Sequence, residues 1–295
     1  MVPALLGLGA LWGIIKTDEA NTKIRRANEF NAEASSIAEK SRQKVEVAND
    51  NMQNSLDKLG KTELDIMSDR INSFVSLMSS VYEDFEYRQD YTGLEKLENM
   101  GFHRKVIEEL QAMTNKAIEL GSTPELKEIG GEECALGAVG LFGAGSLFIG
   151  LEIIAAPAML LYGMMKSDEA TAAFYEAKTR LDEANLYQQR CLNLCALFEA
   201  ITKRGKMLND LLQDLDRYLS PAVYKMRNII SRRGYDLDDY PEQDFLNVYL
   251  AYQITNTVKI IIETPIIQDD WSINPQLDNS IEIGQKNISL LKSAD

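Results

Sequence analysis

Trp12-Gly13-Ile14-Ile15-Lys16-Thr17-Asp18-Glu19-Ala20 returns 150 residues later as Tyr162-Gly163-Met164-Met165-Lys166-Ser167-Asp168-Glu169-Ala170. Every position is identical or chemically similar. An apolar run precedes each copy, and a long polar stretch with helical periodicity follows it. The spacing still holds for Ala32-Glu33-Ala34 against Asp182-Glu183-Ala184. It then becomes 145, where Gly60-Lys61 matches Gly205-Lys206, Asp65-Ile66-Met67 matches Asp210-Leu211-Leu212, and Asp69 matches Asp214. A five-residue deletion accounts for the change. Residues 3–75 and 153–220 therefore read as a tandem internal repeat, one unit used twice. Two unrelated amphipathic helices would also give the later matches, so the nine-residue block carries most of the weight.

Downstream of the first block, Ile24, Ala27, Asn31, Ala34, Ala38, Ser41, Val45, Ala48 and Met52 step by threes and fours. That is a heptad seam of mostly small residues, whose partner helix must approach closely. Phe174, Ala177, Leu181, Ala184, Gln188, Cys191, Cys195 and Phe198 repeat the pattern with larger residues. Residues 62–90 and 94–120 read as two further helices separated by Gly93, and Gly121-Ser122-Thr123-Pro124 ends the second. Ser220-Pro221 predicts a helix break with a new start, since proline suits a first turn. Gly234–Pro241 reads as a loop and 242–264 as one more helix, with Val258–Ile262 as a strand alternative. Residues 265–295 are expected to be an irregular tail. The expected fold is all-α: a long helical bundle or coiled coil joined to short glycine-rich transmembrane helices.

The membrane reading rests on two stretches. Residues 131–166 hold Gly137, Gly140, Gly143, Gly145 and Gly150, and over 135–165 the only charge is Glu152. As one helix, 135–165 would be about 45 Å long, more than a hydrocarbon core of about 30 Å needs. The repeat suggests a hairpin instead, crossing outward over 135–150 and returning over 152–165 with Glu152 near the tip. Residues 1–15 supply a third crossing. Each arm is about 21–24 Å long as a helix, and such short segments are accommodated by bilayer thinning or oligomerisation. The glycines permit close helix contact. Trp12 and Tyr162 fall at one interface, and Lys16, Lys23, Arg25 and Arg26 mark that side as cytoplasmic. This leaves 16–130 and 167–264 as cytosolic helical regions. The acidic pairs Asp18-Glu19 and Asp168-Glu169 would line a pore mouth and favour cations, or else complement helix N-termini. A buried hairpin inside a soluble bundle is the alternative.

Composition narrows the function classes. The net charge is −14, from 45 acidic and 31 basic residues, which argues against bulk affinity for nucleic acid. Cys134, Cys191 and Cys195 are too few and too odd for a disulfide framework and suit a reducing compartment. The start lacks a basic n-region and a cleavage site, so a cleaved secretory signal is not expected. No P-loop, Rossmann glycine pattern, His-Glu-x-x-His or Cys-x-x-Cys occurs. His103 is the sole histidine and is expected on a helix surface. Cys191 and Cys195 share an apolar seam with no third ligand nearby, so packing is expected rather than a metal. No enzyme, cofactor or metal centre is predicted.

One segment stands out. Residues 200–235 carry Lys203, Arg204, Lys206, Arg217, Lys225, Arg227, Arg232 and Arg233 against Asp210, Asp214 and Asp216, an excess of five positive charges in an acidic chain. Arginine forks bind phosphates, and the interleaved Tyr218, Tyr224 and Tyr235 can stack on bases. The ligand-binding candidates are Lys203, Arg204, Lys206, Lys225, Arg227, Arg232 and Arg233. The alternative is a solvated helix face balancing acidic neighbours.

A glycine-rich membrane module feeding a large helical cytosolic body resembles the channel-forming effectors of bacterial anti-phage defence, in particular the channel subunit of Hailong systems. The resemblance rests on the organisation of residues 1–20 and 131–170 and on the basic segment 200–235, not on a motif. It implies a homo-oligomeric ion channel in the bacterial inner membrane. It further implies a cytosolic crown that binds single-stranded DNA or a nucleotide made by a partner nucleotidyltransferase, with depolarisation and cell death on release. A helical pore-forming toxin with an insertable hairpin and a non-conducting membrane scaffold are the competing expectations.

Overall fold

The computed structural model describes residues 4–122, 170–268 and 272–294, with side chains over 20–119, 170–237, 239–268 and 272–293. All regular structure among them is helical, apart from one antiparallel bridge between Ile267 and Ile273. Helix α1 spans Ala4–Asp65 and passes through a π-helical turn, Ile66–Ile71, into α2 at Asn72–Tyr87. Then follow α3 (Tyr91–Asn99), α4 (Arg104–Ser122), α5 (Ala170–Arg233), a 3-10 turn at Leu237–Asp239, α6 (Glu242–Glu263) and α7 (Gln276–Ala294). The chain forms two compact units. Unit 1 comprises Met1–Asp50 and Phe148–Glu199, and unit 2 comprises Asn51–Leu147 and Ala200–Asp295.

In unit 1, α1 and α5 run parallel. Lys23 Nζ donates to Thr171 Oγ1 at 3.3 Å, the Phe30 and Phe174 rings are 5.6 Å apart, and further along Tyr187 lies near Arg42 and Glu46. Ala27, Ala34, Ser41 and Ala48 are buried on α1, and Ala177, Ala184, Cys191 and Phe198 on α5. Each set repeats every seven residues, the spacing that keeps a seam facing its partner under left-handed supercoiling. Each of these α1 positions recurs on α5 at an offset of 150. Alanine along this line lets the helices touch closely. The companion line (Asn31, Ala38, Leu181, Gln188 and Cys195) is consequently only half-buried, and Ile24, expected in the seam, is exposed. Ser41 stays buried because its hydroxyl donates to the Ile37 carbonyl at 2.7 Å.

In unit 2 the same two helices again run parallel. Ser55 Oγ donates to the Thr202 carbonyl at 3.0 Å, Thr62 Oγ1 to Asn209 Oδ1 at 2.8 Å, and Arg70 Nε meets Asp216 Oδ1 at 3.2 Å. Gly205 permits this approach, since a Cβ there would lie 2.9 Å from Ser55 Oγ. Around the pair pack α2, α4, α6 and α7, with Phe102 at an aromatic centre. Its ring lies 4.8 Å from Tyr252, 5.6 Å from Tyr249 and 5.9 Å from Phe245. The buried hydroxyls are satisfied there: Tyr82 donates to the Phe102 carbonyl at 2.7 Å, and Tyr252 accepts from the His103 N–H at 3.3 Å. Lys259, almost fully buried, bridges Glu109 at 2.9 Å and Glu263 at 2.7 Å.

Several boundaries differ from the sequence expectation. Gly93 does not separate helices. It sits in the first turn of α3, where a Cβ would lie 2.2 Å from Phe85 Cε1. The chain turns instead at Gln89 (φ 55°) and Gly101 (φ 90°). Pro221 does not break α5. It is exposed while Leu219, Ala222, Val223 and Met226 on the same helix are buried, so packing on one side outweighs the lost N–H on the other. The tail expected to be irregular contains α7. Residues 258–262 are helical, within α6. The π turn had no counterpart in the sequence reading.

Among the described residues no helix is long and apolar enough to cross a membrane. The predicted hairpin 131–166, with Gly137, Gly140, Gly143, Gly145, Glu152 and Tyr162, lies outside the described residues, as do Asp168 and Glu169. From Ala4 the predicted first crossing, 1–15, is the start of α1, and the side chains of Trp12, Asp18 and Glu19 also fall outside the description.

Candidate functional site

The C-terminal part of α5, with α6 and α7, encloses a groove of about 570 Å3 in unit 2. Tyr218, Pro221, Ala222 and Lys225 line it from α5, at the three, four and seven spacing of one helix face. Asn247, Tyr249, Leu250, Gln253, Ile254 and Thr257 line it from α6, and Asn287, Leu290 and Leu291 from α7. At Gly284 α7 packs closely on α5 and α6, because a Cβ there would lie 2.8 Å from Leu211 Cδ2 and 3.0 Å from Ile261 Cδ1. One turn beyond, Asn287 Nδ2 donates to Thr257 Oγ1 at 2.7 Å and ties α7 to α6. Tyr249 is held rigidly: its ring packs edge-on against Phe102 and stacks at 6.4 Å on Phe245.

The predicted ligand-binding residues do not converge. Lys225 alone of them lines the groove. Arg232 and Arg233 both bind Asp244, at 3.0 and 2.5 Å, and lock the α5 C-terminus to the first turn of α6. Hydrogen bonding from Arg233 holds the Asp244 carboxyl below its ordinary range. Arg227 donates to Ser73 Oγ at 3.0 Å, and Arg204 stands 3.6 Å from Asp278. Lys203 and Lys206 are exposed, without partners among the described residues. Arg204, Arg227, Arg232 and Arg233 thus link α5 to other helices. Tyr224 and Tyr235 are exposed; Tyr218 lines the groove.

A second, polar cavity of about 490 Å3 lies at the π turn, lined by Thr62, Asp65, Asp69, Arg70, Gln213, Asp216 and Arg217 among others. Arg70 pairs with Asp216 and with Asp69. Burial raises the Asp216 carboxyl, Arg70 opposes that, and Asp69 and Asp65 add to it. No cluster of histidine, cysteine and carboxylate able to hold a metal exists among the described residues. Cys191 is buried on the unit 1 seam, and burial pushes the neighbouring Cys195 thiol up, away from reactive thiolate. His103 is exposed just ahead of α4.

Sequence reasoning missed Tyr249, Gln253, Asn247 and Asn287. The one available signal was the spacing of Tyr218, Pro221, Ala222 and Lys225, and it was obscured by the break expected at Pro221. No family model, curated protein or solved structure matches this chain.

Proposed function

We propose that the chain is the membrane-anchored subunit of a homo-oligomeric ion channel. Its helical body would sense a ligand on the cytoplasmic side of a bacterial inner membrane, as an effector of anti-phage defence that depolarises the cell without catalysis. The observation that carries this reading is the parallel pairing of α1 and α5 in unit 1. The apolar run 1–15 leads into α1 and forms its start from Ala4, and the run 131–166 stands in sequence directly upstream of α5. Lys23 beside Thr171 sets the start of α5 against the part of α1 that follows the first apolar run, as one bilayer serving both runs would require. The recurrence of buried positions at an offset of 150 supports the duplication. The glycines of 137–150 support close packing of subunits around a pore.

The test begins with the full chain in membranes washed in alkaline carbonate. Retention is expected, and release into the supernatant overturns the membrane reading. Reconstituted into potassium-loaded liposomes, the chain is expected to give ion flux, and Gly143→Leu with Gly145→Leu to abolish it without loss of helicity. For the ligand, Lys203→Glu with Lys206→Glu is the informative pair, because neither lysine holds the fold. It is expected to weaken binding of a fluorescein-labelled single-stranded DNA oligomer. Reversal of Arg232 and Arg233 would also unfasten Asp244 and so confound binding with folding.

A further inference from the structure

We propose that the groove between α5, α6 and α7 binds a small amphiphilic monocarboxylate, its carboxylate held by the Lys225 ammonium and its apolar body against Leu250, Ile254 and Leu290. Three observations carry this. First, no aspartate or glutamate lines the groove, although the chain has 45 acidic residues to 31 basic ones. An anion entering it meets one positive charge and no opposing lining charge. Second, Lys225, Tyr218 and Gln253 have no side-chain partner among the described residues, and the Tyr249 hydroxyl donates to none. They stand around an apolar floor, the mix of convergent polar heads and apolar walls typical of small-molecule sites. Third, the volume of about 570 Å3 falls in the range such ligands occupy.

The choice of carboxylate follows from what is missing around Lys225. Phosphate sites characteristically use arginine forks or a helix N-terminus. No arginine lines this groove, and its α6 residues begin at Asn247, beyond the first turn of that helix. One ammonium with phenol and amide donors matches a single carboxylate. Tyr249, clamped by Phe102 and Phe245, offers its hydroxyl without losing side-chain freedom on binding. This inference does not depend on the channel reading, because the groove lies wholly in unit 2 and binding is measured without ion flux.

The experiment is photolabelling of the full chain, in nanodiscs if the carbonate wash retains it and in buffer if it does not, with a diazirine-bearing ten-carbon carboxylate, the adducts mapped by mass spectrometry. Labelling is expected on peptides covering 218–225, 247–257 and 287–291, and competition by free decanoate is expected to remove it. Lys225→Glu is expected to reduce it roughly tenfold, the loss of about one charge-assisted contact. Lys225→Met should reduce it as well, and Lys178→Glu, exposed in unit 1 and outside the groove, should leave it unchanged. Thermal melts by circular dichroism exclude misfolding of the variants. Equal labelling by the uncharged amide analogue overturns the proposal, as does labelling insensitive to Lys225. Competition by phosphatidylglycerol vesicles but not by decanoate would assign the groove to lipid and equally overturn it.

Discussion

Unit 1 and unit 2 use the same two parallel helices in opposite ways. In unit 1 the α1–α5 seam is built largely of alanine, with Ser41, Val45, Cys191 and Phe198 its larger buried members. In unit 2 the helices become two staves of a thicker core, with Phe74, Phe85, Phe102, Met52, Met67 and Tyr252 among its fully buried side chains. Buried apolar area sets the hydrophobic contribution, at about 25 cal/mol per Å2. The difference teaches that close approach and stability are separate goods. Small residues bring helices near each other, and large ones hold a unit together. Unit 1 should therefore open at low free energy, while unit 2 carries the global stability.

The largest break in that comparison should come from Phe102→Ala. It removes the centre of the aromatic cluster and is expected to cost about 3–5 kcal/mol. Denaturant unfolding followed by circular dichroism would measure this. Native-state hydrogen exchange should show the loss in unit 2.

Next is the buried carboxyl of Glu63, in the unit 2 part of α1. It is 6% exposed, its Oε2 has no hydrogen-bond partner, and burial alone raises its pKa from 4.5 to about 8. The folded chain thus keeps a proton that the unfolded chain releases. Stability from this group is full below pH 4.5, falls as pH rises towards 8, and levels off above. The fall between pH 4.5 and 7 is on the order of 3 kcal/mol. Glu63→Gln should flatten this slope in a melting series across pH. An unchanged slope would show that another group titrates.

Ala34→Leu should sharpen the contrast from the other side. A larger side chain on the alanine line forces the unit 1 helices apart, at a cost of about 1–3 kcal/mol. Faster hydrogen exchange should be confined to unit 1, and spread into unit 2 would show that the units unfold as one. The smallest effect is expected from Asp236→Asn. Arg88 meets Asp236 at 2.6 Å, but both are partly exposed and Arg88 also binds Asp84. A chemical melt is expected to shift little, since solvent screens so exposed a pair.

Much of the helical frame was readable because its causes are local. The seven-residue spacing of Ala27, Ala34, Ser41 and Ala48, and of their α5 counterparts, follows from helix geometry, and every one of them is buried. Gly234, at φ 83°, ends α5 because only glycine adopts that conformation freely. The periodicity over 242–264 was read as α6, which the structure bears out within a residue. The candidate site was scarcely readable. Lys225 and Tyr218 were singled out for charge and stacking, but the other six candidate cations lie outside the groove.

The sequence by itself determined an all-α chain, the line along which α1 and α5 meet in unit 1, and the acidic balance within which a lysine in a groove without carboxylates becomes conspicuous. Only the tertiary structure decided that Pro221 would be absorbed into α5, that the last residues would form α7, and that Arg232 and Arg233 would be fastened to Asp244. It alone assembled the groove from three helices. The physical reason is the range of the forces. Helix periodicity and glycine dihedrals act within a few residues. Burial of one helix face against another, and the pairing of charges across it, depend on neighbours tens to more than a hundred residues away in sequence.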